Sequence, residues 1–535
     1  MSQVMKPPCD EAIVLTAPPT RYPRSITLQA KQWALVATIL GSSMAFIDST
    51  VVNVALPVLQ VQLRASAADA QWVIESYALF LSALILVGGS LGDRYGRKRI
   101  FALGIVLFTL ASIACGFAPT ITWLIAARAV QGIGGALLTP GSLAILSAAY
   151  PPEERGRAIG LWSGFTALTS ALGPVIGGVL VQYASWRAIF FLNVPLAAVV
   201  LAIVFWRVQE SREAQHTGPL DWQGASLATL GLGGIVFGLI QSSLIGLGAP
   251  LVIISIVIGV AALVAFMVLE ERSPAPMLPL RLFRSSTFSG ANLLTFLLYG
   301  ALGVVTYLVP FNLIRAQGYS PTAAGAAFLP FALLMFALSH WSGGLVSRYG
   351  ARLPLVVGPL ITAAGLALFA LLPGGSYWLS VFPAVLLMGL GMVITAPPLT
   401  TAVMNAAGTD NAGAASGVNN AVARTASLVA IAALSLVLLA VFNASLDAAI
   451  APLHLDAATH ALLDAQRSRL AGAQVPSTAH GALYTALAHA ITSAFVTGFQ
   501  VVMWLCAALA VVSSIAAAVL VEGKPASPSR RAQEE

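Results

Sequence analysis

Three charged residues of the first half stand in or just inside apolar stretches long enough to cross a lipid bilayer. They are Asp48, Glu75 and Arg128. A charge in such a stretch costs at least about 2.5 kcal/mol, so these residues usually pair or face a cavity. Proton coupling requires a carboxyl group whose protonation state can change. Burial favours the neutral form of such a group, and a nearby cation favours its ionised form. The residue types therefore predict proton coupling, with Asp48 as the first candidate acid and Glu75 as the second.

Depth along the predicted helices separates the two acids. At a rise of about 1.5 Å per residue, Asp48 lies about 9 Å and Arg128 about 10 Å below the predicted outer ends of their segments. Glu75 lies only about 4–5 Å below the outer end of its own segment. We therefore expect Asp48 and Arg128 to lie at one level, where they can meet. In the alternative interpretation, Arg128 ties backbone carbonyls together and Glu75 reaches interfacial water.

The composition indicates that lipid surrounds most of the chain. Of its 535 residues, 58% are hydrophobic and 9% are charged, and the mean hydropathy is +0.87. Soluble proteins carry about 25% charged residues. Fourteen apolar segments are long enough to cross a bilayer of about 30 Å as helices, so we predict an all-α membrane protein. The predicted spans are 33–54, 72–91, 100–118, 121–142, 157–182, 187–206, 222–243, 249–269, 289–312, 323–345, 354–372, 378–404, 415–441 and 489–519.

The distribution of Lys and Arg predicts the orientation of these spans. With the N-terminus inside, the inner links and tails carry 20 of the 27 basic residues and the outer links carry five. Basic residues accumulate on the cytoplasmic side of membrane proteins. We therefore place the tails 1–32 and 520–535 in the cytoplasm and the protein in the plasma (inner) membrane. The first apolar segment is expected to be an uncleaved anchor.

A charged link follows the second span, and a similar sequence recurs in the second half of the chain. "GGSLGDRYGRKR" (88–99) is repeated in part by "GGLVSRYGARLP" (343–354). Together with the helix count, this predicts two six-helix bundles, at 33–206 and 289–519, around a central cavity. An inserted helix pair occupies 222–269. The second bundle contains the long outer loop 442–488.

The same link predicts a cytoplasmic gate. Its residues are Gly89, Asp93, Arg94, Gly96 and Arg97. A carboxylate here can accept hydrogen bonds from the N–H groups at a neighbouring helix start, or can pair with one of the two arginines. Such contacts would hold the inner side closed and would break on opening. In the alternative interpretation, the basic residues only fix the topology. In the second link the acid is replaced by Ser347, so the gate is one-sided.

Glycines recur in the fourth and fifth predicted spans. Gln131 and Gly132 follow Arg128, and we expect them to pack helices closely. Proline and glycine in the fifth span are expected to bend it. These positions are Gly173, Pro174, Gly177 and Gly178.

Polar and aromatic residues of several spans are candidates for lining a substrate cavity. They are Trp162, Phe165, Asn292, Tyr307, Asn312, Asn419, Asn420 and Arg424. For Arg424 we favour a side chain that reaches the cytoplasmic face. His340 is expected to be a packed or water-lined residue rather than a proton carrier.

Several functional classes lack their motifs. No GxxxxGK[ST] loop is present, so we expect no ATP-driven step and no cofactor. The three cysteines are far apart and predict no metal site. The basic residues form no stripe for nucleic acid. The histidines and acids are not clustered as an enzyme would require. The expected partners are a small-molecule substrate, protons and the lipid bilayer, and the sequence neither requires nor excludes a periplasmic adaptor.

Several motifs resemble those of the major facilitator superfamily. "GSLGDRYGRKRIF" (89–101) is similar to its signature after helix 2, and "LIAARAVQGIGGA" (124–136) to its helix 4 motif. "GPVIGG" (173–178) resembles the helix 5 motif of its proton-coupled drug antiporters, although Thr169 replaces the first glycine. "DSTVVNVALP" (48–57) and "WRAIFFLNVP" (186–195) resemble the branch with fourteen helices.

The resemblance implies a drug:proton antiporter that exports small hydrophobic or amphipathic compounds by alternating access. One alternative is an exporter of the same fold that is dedicated to an endogenous metabolite, siderophore or amino acid. A transport-inactive receptor or scaffold would lack intramembrane charges or would carry a large soluble extension. This chain shows neither feature.

Overall fold

The computed structural model describes residues 28–150, 152–211, 221–273, 278, 280–372, 374–407, 412–453 and 455–523. Within these residues the regular elements are helices and none is a strand, which confirms the all-α prediction. The first nine helices are α1 (Leu28–Gln62), α2 (Ala67–Tyr95), α3 (Arg97–Gly116), α4 (Ile121–Ala149), α5 (Pro152–Tyr183), α6 (Ala188–Phe191), α7 (Asn193–Arg207), α8 (Trp222–Ile245) and α9 (Pro250–Arg272).

The second half of the chain continues the pattern. Its helices are α10 (Ser286–Phe311), α11 (Pro321–Ala326), α12 (Leu329–Gly343), α13 (Leu345–Tyr349), α14 (Arg352–Leu371), α15 (Tyr377–Ala407), α16 (Ala412–Ile450), α17 (Ala457–Asp464) and α18 (Gly481–Leu520). A π turn covers Asn312–Ala316, and 3₁₀ segments cover Leu280–Arg284, Ala451–Leu453 and Arg467–Gly472. Between α16 and α18, the described elements of the outer loop are the 3₁₀ segment Ala451–Leu453, α17 and the 3₁₀ segment Arg467–Gly472.

Short polar side chains start several of these helices. Ser66 and Asp69 form a capping box at the start of α2, in which each side chain bonds the other residue's backbone N–H. Thr120 accepts a hydrogen bond from the Trp123 N–H at 3.3 Å and so begins α4 directly after Pro119. Asp221 caps α8 in the same way. The predicted break between the third and fourth spans is therefore confirmed.

When the helices are judged by length and hydropathy, fewer than the fourteen predicted spans are found. Twelve helices among the described residues are long and apolar enough to cross a membrane, or thirteen if the bent α2 is one span. The two parts of α2 meet at 50°. In α5, the apolar part is the shorter stretch Leu168–Tyr183. The count of fourteen stays a prediction.

Each half of the chain packs mainly on itself. In the first half α1 packs against α4, α5 and α7, and α4 packs against α2 and α3. In the second half α10, α16 and α18 pack together, and α14 packs against α15 and α18. The pair α8 and α9 meets closely at Gly234 and Gly259, where a side chain on either would clash. α8 also touches α2 and α16, whereas α9 is the least buried of the spans.

The two halves meet at the end of the molecule where α1 ends and α2 begins. We call this the outer end, because the distribution of Lys and Arg predicts that it faces outside. A Cβ at Gly178 would lie 2.4 Å from the Pro321 carbonyl oxygen, and one at Gly325 would lie 2.0 Å from that of Pro174. Arg315 donates to the Pro57 carbonyl, and Gln60 donates to the Arg469 carbonyl at 3.1 Å. These contacts, which involve backbone carbonyl groups, hold the two halves together at the outer end.

Candidate functional site

A buried ion pair lies between α1 and α4. The Arg128 guanidinium lies 2.5 Å from Asp48 Oδ2, and the two residues are each 1% exposed. Gln131 closes the arrangement, because its Oε1 accepts from Arg128 at 2.8 Å and its Nε2 donates to Asp48 Oδ1 at 2.8 Å. The structure thus brings together the acid and the cation that the sequence places at one depth. Gln131, expected only to pack, is a bridging residue.

Two further helices complete the surroundings of the Asp48 carboxylate. Asn193, at the start of α7, donates to Asp48 Oδ1 at 3.3 Å and to Ser112 Oγ at 3.0 Å. Ser112 in turn donates to the Phe190 carbonyl at 2.8 Å. Asp48 therefore accepts from Arg128, Gln131 and Asn193, and each of these four side chains is buried. A charged carboxylate surrounded by donors in this way is well compensated.

Arg128 is held on its other sides by α2. Its Nε donates to the Val73 carbonyl at 3.1 Å, and its guanidinium carbon lies 4.2 Å from the centroid of the Tyr77 ring. The first contact is the backbone tie that the alternative interpretation expected, and it coexists with the ion pair. A guanidinium that stacks on an aromatic ring gains a cation–π interaction. Arg128 is therefore held by both an acid and an aromatic ring.

Glycines bring α2, α3 and α4 close enough for these contacts. A Cβ at Gly132 would lie 2.4 Å from the Tyr77 carbonyl oxygen. A Cβ at Gly134 would lie 2.5 Å from the Phe108 backbone nitrogen. Because backbone cannot move aside cheaply, these positions admit only glycine, as small residues do at membrane helix interfaces. The glycines after Arg128 thus set the distance at which Tyr77 meets it.

Glu75 lies in different surroundings from those expected. Its side chain is fully buried rather than near interfacial water. Both carboxyl oxygens lack a hydrogen-bond partner among the described residues, as does the Gln71 amide nitrogen one turn earlier. Tyr307 of α10 lies within range of its charge. The alternative interpretation, in which Glu75 reaches interfacial water, is therefore wrong, and its role as the second candidate acid stays a prediction.

The glycines of α5 pack against both halves. A Cβ at Gly173 would lie 2.1 Å from Thr50 Oγ1 of α1, and one at Gly177 would lie 2.4 Å from Val51. Pro174 and Gly178 contact α11, as described for the outer end. Thr169, which replaces the first glycine of the helix 5 motif, donates to Ser43 Oγ at 3.1 Å. This position therefore still joins α5 to α1, through a hydrogen bond.

The charged link at the inner end forms a compact hinge between α2 and α3. Arg97 Nε donates to Asp93 Oδ1 at 2.7 Å, so the acid pairs with Arg97 and not with Arg94. Arg94 lies over the ring of Tyr95 at 5.5 Å. Gly96 has φ +113°, a conformation that favours glycine, and its N–H bonds the Gly92 carbonyl.

A different acid occupies the helix start that Asp93 was expected to reach. Glu210, in the segment after α7, accepts the Lys98 N–H at 3.0 Å and lies 3.6 Å from Arg99 Nε. A Cβ at Gly96 would lie 2.7 Å from its carboxyl carbon. Carboxylates are favoured at helix N-termini, where N–H groups lack partners. Of the two contacts predicted for Asp93, the structure therefore shows the arginine pair, and Glu210 makes the helix-start contact.

Gly89 is less constrained than its neighbour. A Cβ at Gly89 would make an ordinary 3.6 Å contact with Pro140, whereas one at Gly88 would lie 2.0 Å from the Ala136 carbonyl oxygen. The close approach of α2 to α4 in this region therefore depends on Gly88, which the sequence analysis did not select.

The predicted cavity residues do not form one group. Asn419 donates to Asn292 Oδ1 at 3.2 Å and to Thr295 Oγ1 at 2.7 Å, which joins α16 to α10. Trp162 donates to Ser42 at 3.2 Å within the first half. Asn312 and Tyr307 are buried in α10 and the π turn after it, while Phe165 and Asn420 are exposed. The side chains of His340 and Ser347 lie outside the described part of the structure.

Arg424 lies in α16, which packs against α2 of the first half. Its side chain is half-buried. That it reaches the cytoplasmic face stays a prediction.

Two cavities lie in other parts of the described structure. One of about 610 Å³ lies between α16 and α18, lined by Ala449, His489 and their neighbours. The other, of about 240 Å³, lies between α12 and α15 beside Trp341. Neither is lined by the predicted cavity residues.

Asn193, Tyr77 and Glu210 were not selected from the sequence. Asn193 offered a signal, since it is a polar residue within an apolar segment and inside a motif already noted. Tyr77 offered little signal, because aromatic residues are common in such helices. Glu210 lies in a link, where an acid is ordinary.

Comparisons with known proteins agree with this architecture. The model of the Major Facilitator Superfamily matches residues 38–229 and 222–431. The chain is 36% identical over 418 residues to the multidrug resistance protein Stp of Mycobacterium tuberculosis (strain CDC 1551 / Oshkosh), covering 77% of each chain. It is 32% identical over 516 residues to the tetracenomycin C resistance and export protein of Streptomyces glaucescens, covering 95% of this chain and 94% of the relative.

Among solved structures, the fold is similar to a bacterial homologue of the human lysosomal transporter Spinster in an inward-facing, unoccupied conformation. The TM-score is 0.63 at 17% identity, covering 94% of this chain and all of that one. At this identity the similarity concerns the fold alone.

Proposed function

The chain belongs to the Major Facilitator Superfamily, and on this basis we propose that it exports small hydrophobic or amphipathic compounds in exchange for protons. It is a multi-pass membrane transporter and not an enzyme. Relatives named for resistance to tetracenomycin C and to several drugs support the export of such compounds. The proton exchange rests on the site around Asp48.

The observation that carries the proposal is the buried pair of Asp48 and Arg128. A fully enclosed carboxylate that accepts from Arg128, Gln131 and Asn193 is compensated in the described state. Removing or shifting its cation would leave a buried charge that must take up a proton. A helix movement that separates α1 from α4 would therefore load Asp48, and the return movement would release the proton.

Glu75 is the second candidate for the proton. Among the described residues its carboxyl oxygens have no hydrogen-bond partner of normal geometry and no cation, and Gln71, one turn earlier, is the side chain that can donate to it. Any movement between the halves would change its surroundings. It differs from Asp48 because its changing contact would be with the other half of the chain.

Alternating access in this account uses the two ends of the bundle. The contacts among Gly178, Pro321, Gly325 and Pro174 close the outer end and would separate when the protein opens outward. At the inner end, Asp93, Arg97 and Glu210 hold the start of α3, and this hinge acts as the cytoplasmic gate. Rocking of two bundles about a central site is the general plan of such transporters.

The topology completes the proposal. The 20-to-5 distribution of basic residues supports an even number of spans, fourteen in our prediction, with both tails in the cytoplasm and the protein in the plasma (inner) membrane. The substrate path lies between α10, α16 and the first half, where Asn292, Asn419 and Arg424 lie.

The proposal is tested by efflux under a controlled proton gradient. Deletion and overexpression strains are grown on a panel of toxic compounds to find one that the protein exports. Export of that compound is then followed after a protonophore collapses the gradient while ATP is kept high. We expect export to stop. Export that continues and follows the ATP level would overturn proton coupling.

A further inference from the structure

The inserted helix pair lies over a line of contact between the two halves. α2 of the first half meets α16 of the second half along this line, here called the α2–α16 seam, and α8 packs against both helices. Their contact forms a separate hydrophobic cluster, made by Ala68 and Leu79 of α2, Leu232, Val236 and Ile240 of α8, and Leu428 and Ala432 of α16. Each of these side chains is at most 9% exposed. α8 therefore fills this side of the seam.

Two further contacts seat α8 on the first half. The ring centroids of Trp72 and Phe237 lie 6.2 Å apart. A Cβ at Gly233 would lie 3.4 Å from Leu79 Cδ2, so the backbone of α8 comes within ordinary van der Waals contact of an α2 side chain. These contacts are apolar, and apolar contacts have no fixed direction. They can therefore keep α8 in place while α2 and α16 tilt.

α9 forms a second layer over α8. A Cβ at Gly231 would lie 2.6 Å from the Leu263 side chain of α9, and Leu263 also packs against the cluster at the seam. Ile254, Val257 and Ile258 of α9 are each more than half exposed. Aliphatic side chains exposed in a membrane span contact lipid. Two helices thus separate the α2–α16 seam from the bilayer.

The internal repeat relates this seam to a second one. The similar links at 88–99 and 343–354 lie at the ends of α2 and α12, so α2 corresponds to α12, and by helix order α16 corresponds to α5. α5 packs against α12, and we call this contact the α5–α12 seam. Besides α11 and α12, the described helices that pack closely on α5 are α1, α4 and α6 of its own half. No inserted helix is among them.

The helices of the α5–α12 seam expose apolar side chains. On α5, Leu161 and Phe165 are 45% and 49% exposed. On α12, Leu333 and Phe336 are 59% and 52% exposed. Exposed apolar surface of this kind is where lipid or an apolar ligand makes contact.

The helices of the α2–α16 seam expose almost no side chains. Among the side chains that the structure describes, those of α2 between 67 and 89 include no exposed residue, and those of α16 between 417 and 439 include one, Asn420. The cover by α8 therefore removes from this seam the apolar surface that its counterpart keeps.

The outer part of the α5–α12 side is closed by backbone contact. Gly178 and Gly325 bring α5 and α11 together there. Leu161 and Phe165 lie in the half of α5 nearer its start, which the charge distribution places at the inner side. The exposed part of this seam therefore faces the inner leaflet.

We propose that α8 and α9 shield the α2–α16 seam from the bilayer, and that apolar compounds dissolved in the lipid enter the protein along the α5–α12 seam. A side chain that is already buried among three helices cannot contact an acyl chain or a dissolved compound, whereas an exposed one can. The entry step rests on the proposed export of hydrophobic compounds, and it assigns the surface at which they leave the lipid.

The first test maps contact with lipid directly. The full-length protein in nanodiscs is irradiated with a phosphatidylcholine that carries a diazirine at the end of one acyl chain, and labelled residues are located by mass spectrometry. We expect label on Val257, Phe165 and Phe336, and none on Leu79 or Leu428. Label on Leu79 or Leu428 equal to that on Val257 would overturn the proposal.

A pair of double variants tests whether α8 is the cover. Val236→Ala with Ile240→Ala removes buried methyl groups from the cluster at the seam. We expect label on Leu428 to rise at least about tenfold, because each truncation weakens the packing of α8. Val257→Ala with Ile258→Ala makes the matched changes on the exposed face of α9 and should leave Leu428 unlabelled. No rise with the first pair, or an equal rise with both, would contradict the shield.

The last test concerns entry. A single cysteine, Phe336→Cys or Ile258→Cys, is modified with a maleimide that carries a long alkyl chain, in protein whose native cysteines are replaced by serine. We expect the adduct at position 336 to lower the export rate at least about tenfold and the adduct at position 258 to change it by less than about twofold. Equal export rates with the two adducts would overturn entry along the α5–α12 seam. A failure of the proposed export function would appear as no export by the unmodified protein, and the lipid labels would still decide the shield.

Discussion

Asp48 and Glu75 are both buried acids of the first half of the chain, and they differ in what surrounds them. Asp48 accepts hydrogen bonds from Arg128, Gln131 and Asn193, all within its own half. Glu75 is as deeply buried, but its carboxyl oxygens have no hydrogen-bond partner of normal geometry among the described residues, and the Gln71 amide one turn earlier is the donor within reach. One acid is compensated in the described state and the other is not.

The difference shows what a buried acid needs in order to exchange a proton. A compensated carboxylate can be switched by moving a single cation, since the loss of one partner leaves an uncompensated charge. An acid without partners has nothing of its own to switch and depends on movement between the halves. The comparison therefore favours Asp48 as the coupling residue and gives Glu75 a weaker claim.

The largest effect is expected for Asp48→Asn. The amide keeps the size of the side chain and removes the charge that Arg128 compensates. Export against a gradient should fall to the level of cells without the protein, while insertion and substrate binding remain. Asp221→Asn is the matched control, because it replaces the acid that caps α8 by another good cap. Normal uphill export by Asp48→Asn would contradict the comparison.

Substitutions of Arg128 should come next. Arg128→Ala leaves Asp48 buried without its cation, and breaking a buried pair in this way costs about 3–5 kcal/mol. We expect lower thermal stability of the purified protein together with lost export. Arg128→Lys keeps a charge but loses the fork that reaches Asp48, Gln131 and the Val73 carbonyl, so it should fall between Ala and wild type. Equal behaviour of the two variants would show that charge is not what Arg128 contributes.

The smallest effect is expected for Glu75→Gln. This change removes no hydrogen bond or ion pair among the described residues, so the export rate should change by less than about twofold. The thermal stability should be equal to or above that of the wild type, because no charged form has to be buried. A loss of export as severe as that of Asp48→Asn would reverse the ranking of the two acids.

The sequence alone predicted much of the architecture and one contact of the site. Apolar lengths and caps are local properties, so helices such as α4 begin where Thr120 indicates. A fixed rise per residue placed Asp48 and Arg128 at one depth, and they meet. Depth along a helix says nothing about the direction in which a side chain points. For this reason the depth of Glu75 indicated contact with interfacial water, whereas packing buries the side chain fully.

Contacts made by the segments that link helices could not be predicted from helix length and depth. Glu210 reaches the start of α3 because the segment after α7 passes beside Gly96, whose missing side chain leaves room for the carboxyl group. No spacing in the sequence joins these two positions, which are more than a hundred residues apart. For Asp93 the sequence predicted either that helix start or an arginine as partner, and the structure pairs it with Arg97.

The most direct test of the account measures proton release when an exported compound binds to the purified protein, as a function of pH. The wild type, Asp48→Asn and Glu75→Gln are compared in weakly buffered solution with a pH-sensitive dye. We expect release by the wild type and by Glu75→Gln with similar pH profiles, and none by Asp48→Asn. Release by Asp48→Asn with the wild-type profile, together with its loss in Glu75→Gln, would show that Glu75 carries the proton.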